Sequence, residues 1–485
     1  MTTIPAQHRG RAIGALGIAV LVAAVASIAR RTGALPALVG GALLLFDLIL
    51  VRWAVRPRAA GSTLARSISL VSAAWVAVAL VPLHDIGRQS AQSAVSTLTL
   101  QTATELVVYG AAGLLATHLL RTTVPVIPLG VPLTVLPVWV VASAAWGATP
   151  AYALARGLEY VALAVLAMAT AGLIAAARPN LDQVVSMFLR RIVWVTLGLI
   201  GLGVALGPLF VVVTASNRDR FTWIGAHPTE SGFLLGAALL VLLATGAARL
   251  RLPPAGRVAA IGVVVVAMQQ NQTRTTLAGV VVGVVVLLAL RARRDPDRGL
   301  QLGFVTLGSA VAGLLLAGGA VSSYVLRDEG TARLTTLNGR TDLWGVGFDA
   351  LDGPMAWLHG LGFGATRYVF IDQFAFAGDA HNSLLGTLVG LGLVGVALLL
   401  AAVVRAGLGL WRDEGLATSD GGTALLVLLT YAVVAGATSD DLAQPHLGLT
   451  ILFLATAVAA GWRHGTDGSP SPRSPSATRQ STTPR

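Results

Sequence analysis

Cysteine is absent from the 485 residues, which removes disulfides, thiolate metal sites and cysteine nucleophiles. Lysine is absent too, so all 34 basic residues are arginine. Charge of either sign is scarce, at 12% of residues against about 25% in an average soluble domain. A water-soluble fold cannot cover its surface with so few charges, and a disordered chain or a coiled coil needs more of them. What the sequence has instead is apolar length. Hydrophobic residues make up 55% of it, and the mean hydropathy is +0.76. The fold class that follows is all-α: a polytopic integral membrane protein with about 12–14 transmembrane helices.

Apolar runs of spanning length, about 17–25 residues, lie near 12–29, 34–51, 67–83, 102–120, 125–146, 155–177, 191–214, 229–248, 275–291, 302–320, 383–404, 422–438 and 446–462, with a shorter one at 256–269. Counting the shorter run gives fourteen spans. Pro125, Pro128, Pro132 and Pro137 interrupt the fifth run, which predicts a kinked or partly re-entrant helix. With the N-terminus in the cytoplasm, 23 arginines fall in cytoplasmic segments and ten outside, with Arg156 inside a span. This asymmetry sets the orientation of a cell-membrane protein with both termini cytoplasmic. The same distribution explains the formal charge of +12 without a nucleic-acid partner, because the arginines sit in short loops between spans.

The organisation that results is helices 1–11 over 1–320, one large extracytoplasmic loop over 321–382, helices 12–14 over 383–463 and a cytoplasmic tail over 464–485. The tail is rich in Ser, Pro, Thr and Arg and reads as disordered. The first apolar run lacks a small-residue cleavage site and leads into further spans, so it reads as a span rather than a signal peptide. The loop carries seven acids and four arginines. Trp344, Trp357, Phe363, Phe370, Phe374 and Phe376 predict that it folds as a cap, because a connection this long is functional or disordered.

Four constellations carry possible chemistry. Arg274 lies in NQTRTTLAG, where an outer loop re-enters the membrane; its guanidinium could fork onto a phosphate or simply snorkel to the interface. Arg340 follows the turn signal Asn338-Gly339 and opens a short helix with Trp344 four residues on, on the same face. It could bind an anion or pair on the surface with Asp342 or Asp349. Gly360, Gly362 and Gly364 could form a turn exposing N–H groups to an anion, or merely bend the chain. His381 and Asn382 stand where the loop enters the next helix. His381 could take a proton from an attacking hydroxyl, with Asn382 or Asp379 orienting its ring, or it could only bond backbone at a helix cap.

Weaker candidates are the His227–Glu230 pair and Asp440–Asp441, the latter a poor cation cage. Asp47, Glu105, Arg156 and Glu159 fall within spans, and the spacing of Arg156 and Glu159 favours an internal pair.

An outer-face arginine before a span (Arg274), Arg-x-x-x-Trp (Arg340, Trp344), Gly-x-Gly-x-Gly (Gly360, Gly362, Gly364), His-Asn (His381, Asn382) and Gly-Leu-Val-Gly at 392–395 occur in that order. This set, over about 220–400, resembles the O-antigen ligase and O-antigen polymerase superfamily. The resemblance implies a membrane glycosyltransferase that moves a glycan from an undecaprenyl-diphosphate carrier to a hydroxyl of a lipid, polysaccharide or protein acceptor at the outer face of the cytoplasmic membrane. It implies no metal and no cofactor, and membrane lipids as surroundings. Arg274 and Arg340 would hold the diphosphate, His381 would be the catalytic base, and Asn382, Trp344, Gly362 and Gly364 would support them. The alternatives are a polymerase of lipid-linked repeat units, a shape–elongation–division peptidoglycan polymerase, which should carry a catalytic Asp in its main outer loop, and a transporter or flippase for lipid-linked glycan.

Overall fold

In lipid every backbone N–H and C=O must find a partner within the protein, so long apolar runs close into helices. The computed structural model of the chain describes residues 63–81, 100–176, 181–206, 211–213, 219–222, 228–297, 301, 303, 340–371 and 380–467. The runs at 12–29, 34–51 and 302–320 lie outside these residues, as do Asp47, His227, Phe374, Phe376, Asp379 and the tail beyond 467.

Each remaining run falls on a helix. In chain order these are α1 (Thr63–Leu80), α2 (Leu100–Thr122), α3 (Val131–Ala142), α4 (Pro150–Ala176), α5 (Leu181–Leu206), α6 (Pro228–Ala244), a short α7 (Ala247–Leu250), α8 (Pro254–Asn271) and α9 (Arg274–Arg294). The long loop contributes α10 (Arg340–Asp349), α11 (Gly353–His359) and α12 (Thr366–Ile371). Then come α13 (Ser383–Arg412), a short α14 (Glu414–Thr418), α15 (Asp420–Gly436) and α16 (Leu447–Asp467). Among the described residues, six helices are long and apolar enough to cross a membrane, and four more are apolar but shorter. The fold is all-α and polytopic. Its strand content among the described residues is one ribbon, β1 (Val211–Val213) antiparallel to β2 (Asp219–Phe221).

Three boundaries depart from expectation. The seventh span begins at Leu181 rather than near 191, and strand β1 occupies 211–213, where the helix was expected to continue. The last helix runs through 464–467, into the stretch assigned to the tail. The fifth run forms a helix shorter than the run itself, with Pro137 inside it. Pro125 and Pro128 lie in extended chain, Gly130 turns it with φ 94°, and Pro132 sits in the first turn of α3, where its missing N–H costs nothing. After a 3₁₀ turn at Ser143–Ala145 the chain leaves α3.

α4 is the axis of the bundle, packed against α2, α3 and α16. The arginine predicted to pair within it does so: Arg156 Nη1 lies 2.8 Å from Glu159 Oε2 and also 2.5 Å from Glu105 Oε2 on α2. This buried ion triad fastens the two helices together.

The long loop folds on a small core of its own, in which Leu343, Ala365, Phe370, Ala380, Leu385 and Val389 are buried. It is joined to the bundle at a break in α13. Gly392 has φ 68° and ψ −169°, so the helix is interrupted there. Three consecutive carbonyls at the break accept hydrogen bonds from outside the helix. Leu361 N–H donates to Val389 at 2.8 Å, Gly362 N–H to Gly390 at 2.9 Å, and the Trp139 indole to Leu391 at 3.0 Å. A side chain at 362 would meet Gly147 Cα at 2.3 Å, and the backbone there has φ 96°.

Gly362→Ala is therefore expected to lower the thermal midpoint in detergent. Gly345→Ala, at an exposed helical site with open space around it, should leave it unchanged or raise it, since Ala gains about 0.5–1 kcal/mol over Gly in a helix. Tryptophan-fluorescence melts of the two variants check the pair.

Candidate functional site

The site is assembled at one end of the bundle from three separate corners of the chain. The first is the corner between α8 and α9. Gln272 turns the chain with φ 54°, and Arg274 is the first residue of α9. Buried Arg220 on β2 fixes this corner, its Nε donating to Asn271 O at 2.9 Å and its Nη2 to Thr273 Oγ1 at 2.9 Å. Asn271 Nδ2 in turn donates to Phe221 O at 2.8 Å and Pro228 O at 3.0 Å. Arg274 is thus carried by a rigid joint, and it stands where the helix dipole of α9 is positive.

The second corner is α10, which begins its described part with Arg340. Trp344, one turn on, donates its indole N–H to Ala380 O at 3.1 Å. That bond ties the arginine helix to the residue preceding His381. The third corner is the start of α13. His381 has φ 48°, a left-handed conformation uncommon outside glycine. Asn382 is the N-cap, its Oδ1 accepting from Leu384 N–H at 3.0 Å and Leu385 N–H at 3.1 Å. The Asn382 oxygen is committed to the helix end, whose orphan N–H groups need it, so any hold on the histidine ring would fall to its amide N–H groups.

A fourth segment, passed over as a poor cation cage, joins the three. The turn between α15 and α16 carries Asp440, whose Oδ2 accepts from His381 N–H at 3.3 Å. Thr438 Oγ1 lies 2.6 Å from Thr275 Oγ1 on α9, and Ser383 Oγ donates to Ser439 O at 2.8 Å. From below, Tyr160 donates to Ala443 O at 2.9 Å and Tyr109 to Pro445 O at 2.6 Å. Asp440 was not legible as a site residue because it lies outside the 220–400 stretch that carries the motifs. The available signal was a run of polar residues, TSDD, at a helix end on the same predicted side.

The electrostatics bind the set together. Burial pushes the Arg340 guanidinium below its ordinary pKa; Asp440 opposes that shift, and the like charge of Arg274 adds to it. Both neighbours therefore act on Arg340 directly. Arginine still stays charged at any ordinary pH. Two guanidiniums facing one carboxylate leave an excess of positive charge at a partly buried place, and an anion entering there would relieve their repulsion. Phosphate groups, which accept bidentate N–H donors, suit such a pair. His381 is partly exposed and its backbone is bonded to Asp440; its imidazole could exchange a proton with a bound hydroxyl.

The structure thus brings Arg274, Arg340, Trp344, His381 and Asn382 to one end of the bundle. Gly362 and Gly364 lie apart, in the joint with α3 and α4. The N–H groups of Gly360, Leu361, Gly362 and Phe363 are bonded to Ala356 O, Val389 O, Gly390 O and Ser143 Oγ. They are spent on packing, so the turn bends and seats the loop rather than cradling an anion. Glu230 sits in the first turn of α6.

Residues 258–400 match the family model described as O-antigen ligase. No curated protein matches the chain. The matched stretch holds Arg274, Arg340 and His381, while Asp440 and its turn lie beyond it.

Loss of the cap should be separable from loss of chemistry. Asn382→Ala is expected to cost about 0.5–2 kcal/mol of stability, and Asn382→Asp, which retains a capping oxygen, to restore it. Thermal melts of the two variants beside the parent protein check this.

Proposed function

The chain belongs to the O-antigen ligase and polymerase superfamily through its 258–400 segment, and on that premise we propose that this membrane glycosyltransferase takes its glycan from an undecaprenyl-diphosphate carrier and passes it to an acceptor hydroxyl at the extracytoplasmic face. The supporting observation is that Arg340 feels the charges of both Arg274 and Asp440, while Asp440 also accepts the backbone N–H of His381. The arginine asymmetry of the loops supports the face.

In this reaction the acceptor oxygen forms a bond to the anomeric carbon. The bond from that carbon to the phosphate oxygen breaks, and the proton of the acceptor passes to His381. Negative charge grows on the departing diphosphate, and Arg274 and Arg340 meet it with fixed positive charge. Such preorganised donors act most strongly where water is excluded. Among the described residues, His, Asp and Glu do not gather in threes, so the guanidiniums are the cationic groups at hand. Asp440 positions Arg340 by its charge and His381 by its backbone bond.

His381→Ala should lower transfer by the 10²–10⁴-fold typical of a lost general base. Arg340→Ala should lower it by about 10²–10³-fold, the usual cost of one such donor. Arg340→Lys should also be impaired, because a planar fork becomes a point charge. Wild-type transfer by either alanine variant, at normal membrane level, removes the assignment. The reaction should persist in chelator; loss restored by Mg²⁺ counts against the scheme.

Deletion of the protein followed by analysis of the accumulated lipid-linked glycan tests the reaction type. Full-length chains on the carrier are the expected result. Single repeat units would mark a polymerase, and precursor held on the cytoplasmic side a flippase.

A further inference from the structure

The segment 353–364, GPMAWLHGLGFG, contains no charged residue. It is bracketed by Asp349 and Asp352 before and by Arg367 after. Its helix α11 has no buried residue. Met355 is 61% exposed, Leu358 48% and Trp357 37%, and Phe348 of α10, stacked on Trp357 at 6.2 Å between ring centroids, is 46% exposed. A loop standing in water has no reason to display such a patch.

The depth of the segment explains it. A Cβ on Gly392 would lie 2.3 Å from Leu358 O, and one on Gly360 would lie 2.5 Å from the Gly390 backbone. The loop therefore touches α13 over residues 389–392. At 1.5 Å per residue this is about 9–14 Å along the helix from Ser383 and about 20–24 Å from Arg405. Arg405 marks the far end of the bundle, beside Gly130 at the start of α3. The hydrocarbon layer is about 30 Å thick, so the contact lies inside it, in the half nearest the site. α3 is too short to fill that layer: its 12 residues rise about 18 Å. Its end meets the glycine turn, with Gly362 against Gly147 and Trp146 against His359 at 5.2 Å. Exposed apolar side chains continue from the patch onto the membrane helices at this joint, with Val138 on α3 and Leu393 on α13.

We infer that residues 353–364 form a re-entrant hairpin whose exposed face, Met355, Trp357 and Leu358 with Phe348, is covered by the acyl chains of the bilayer leaflet on the site's side. The hairpin completes the short α3 as a membrane-crossing element. Its backbone remains satisfied at that depth because its N–H groups bond the carbonyls opened at Gly392. The inference rests on the membrane fold and does not depend on the reaction proposed above.

The absence of cysteine gives a direct test. Single-cysteine variants Met355→Cys, Leu358→Cys and Asp352→Cys of the full chain are labelled with a nitroxide and reconstituted in phosphatidylethanolamine–phosphatidylglycerol vesicles. Collision with oxygen, which partitions into lipid, is compared with collision with a water-soluble nickel chelate. Labels at 355 and 358 are expected to favour oxygen, and the label at 352 to favour nickel. Nickel access at 355 and 358 would place the hairpin in water and overturn the inference. Protection from both agents would mean that protein, such as a second copy of the chain, covers the face, and would overturn it equally. Glycan transfer is not read in this experiment, so failure here leaves the reaction standing, and the reverse.

Discussion

A backbone carbonyl opened inside a membrane has to be met by a donor, and that constraint at Gly392 governs this protein. An unmet polar group in hydrocarbon costs several kcal/mol. The break in α13 frees carbonyls at Val389, Gly390 and Leu391, and the donors come from the long loop and from α3. The interruption and the loop are consequently one structure. Neither the positive φ at Gly392 nor the close approach of Leu358 tolerates a side chain there, so glycine serves both conformation and contact at that point.

From this anchor the rest of the site follows geometrically. Once the glycine turn is seated, α10 lies across the start of α13 and Trp344 reaches Ala380. His381 is then held from one side by its neighbour's carbonyl bond and from the other by Asp440. The α15–α16 turn that carries Asp440 is itself fastened to α9, α13, α2 and α4 by hydroxyl groups. Three of these fasteners, at Ser383, Tyr109 and Tyr160, donate to backbone carbonyls, which fixes the turn's path rather than only its side chains. Arg274 follows a corner held by Arg220, and Arg340 begins a helix tied to Ala380 through Trp344; donors fixed in this way suit electrostatic stabilisation of developing charge.

The ion triad Glu105–Arg156–Glu159 has a different standing. It is buried between α2 and α4, and both flanking tyrosines, Tyr109 and Tyr160, point to the Asp440 turn. Removing Arg156 would leave two buried carboxylates without a counter-charge, and breaking a buried ion group in that way typically costs about 3–5 kcal/mol. The triad supports the floor beneath the site, with Arg156 bridging the two glutamates. This is the bland pairing that the three-residue spacing of Arg156 and Glu159 indicates, extended by one partner from a neighbouring helix.

What the residues alone settled was everything that depends on local spacing. Apolar length set the helices, because only a helix satisfies its backbone in lipid. The order of Arg274, Arg340, Gly360–Gly364 and His381 carried the resemblance to the O-antigen ligase family, whose model matches the stretch that holds them. What only the tertiary structure decided was partnership. Asn382 is a cap because two N–H groups happen to face its oxygen. The glycine turn is a joint because a broken helix offers it carbonyls. Asp440 enters the site because a turn some sixty residues downstream folds back over the same helix end. Contacts between segments far apart in the chain leave no periodic mark in a sequence, so hydropathy and motif spacing reveal the helices and the candidate site residues but not which of them meet.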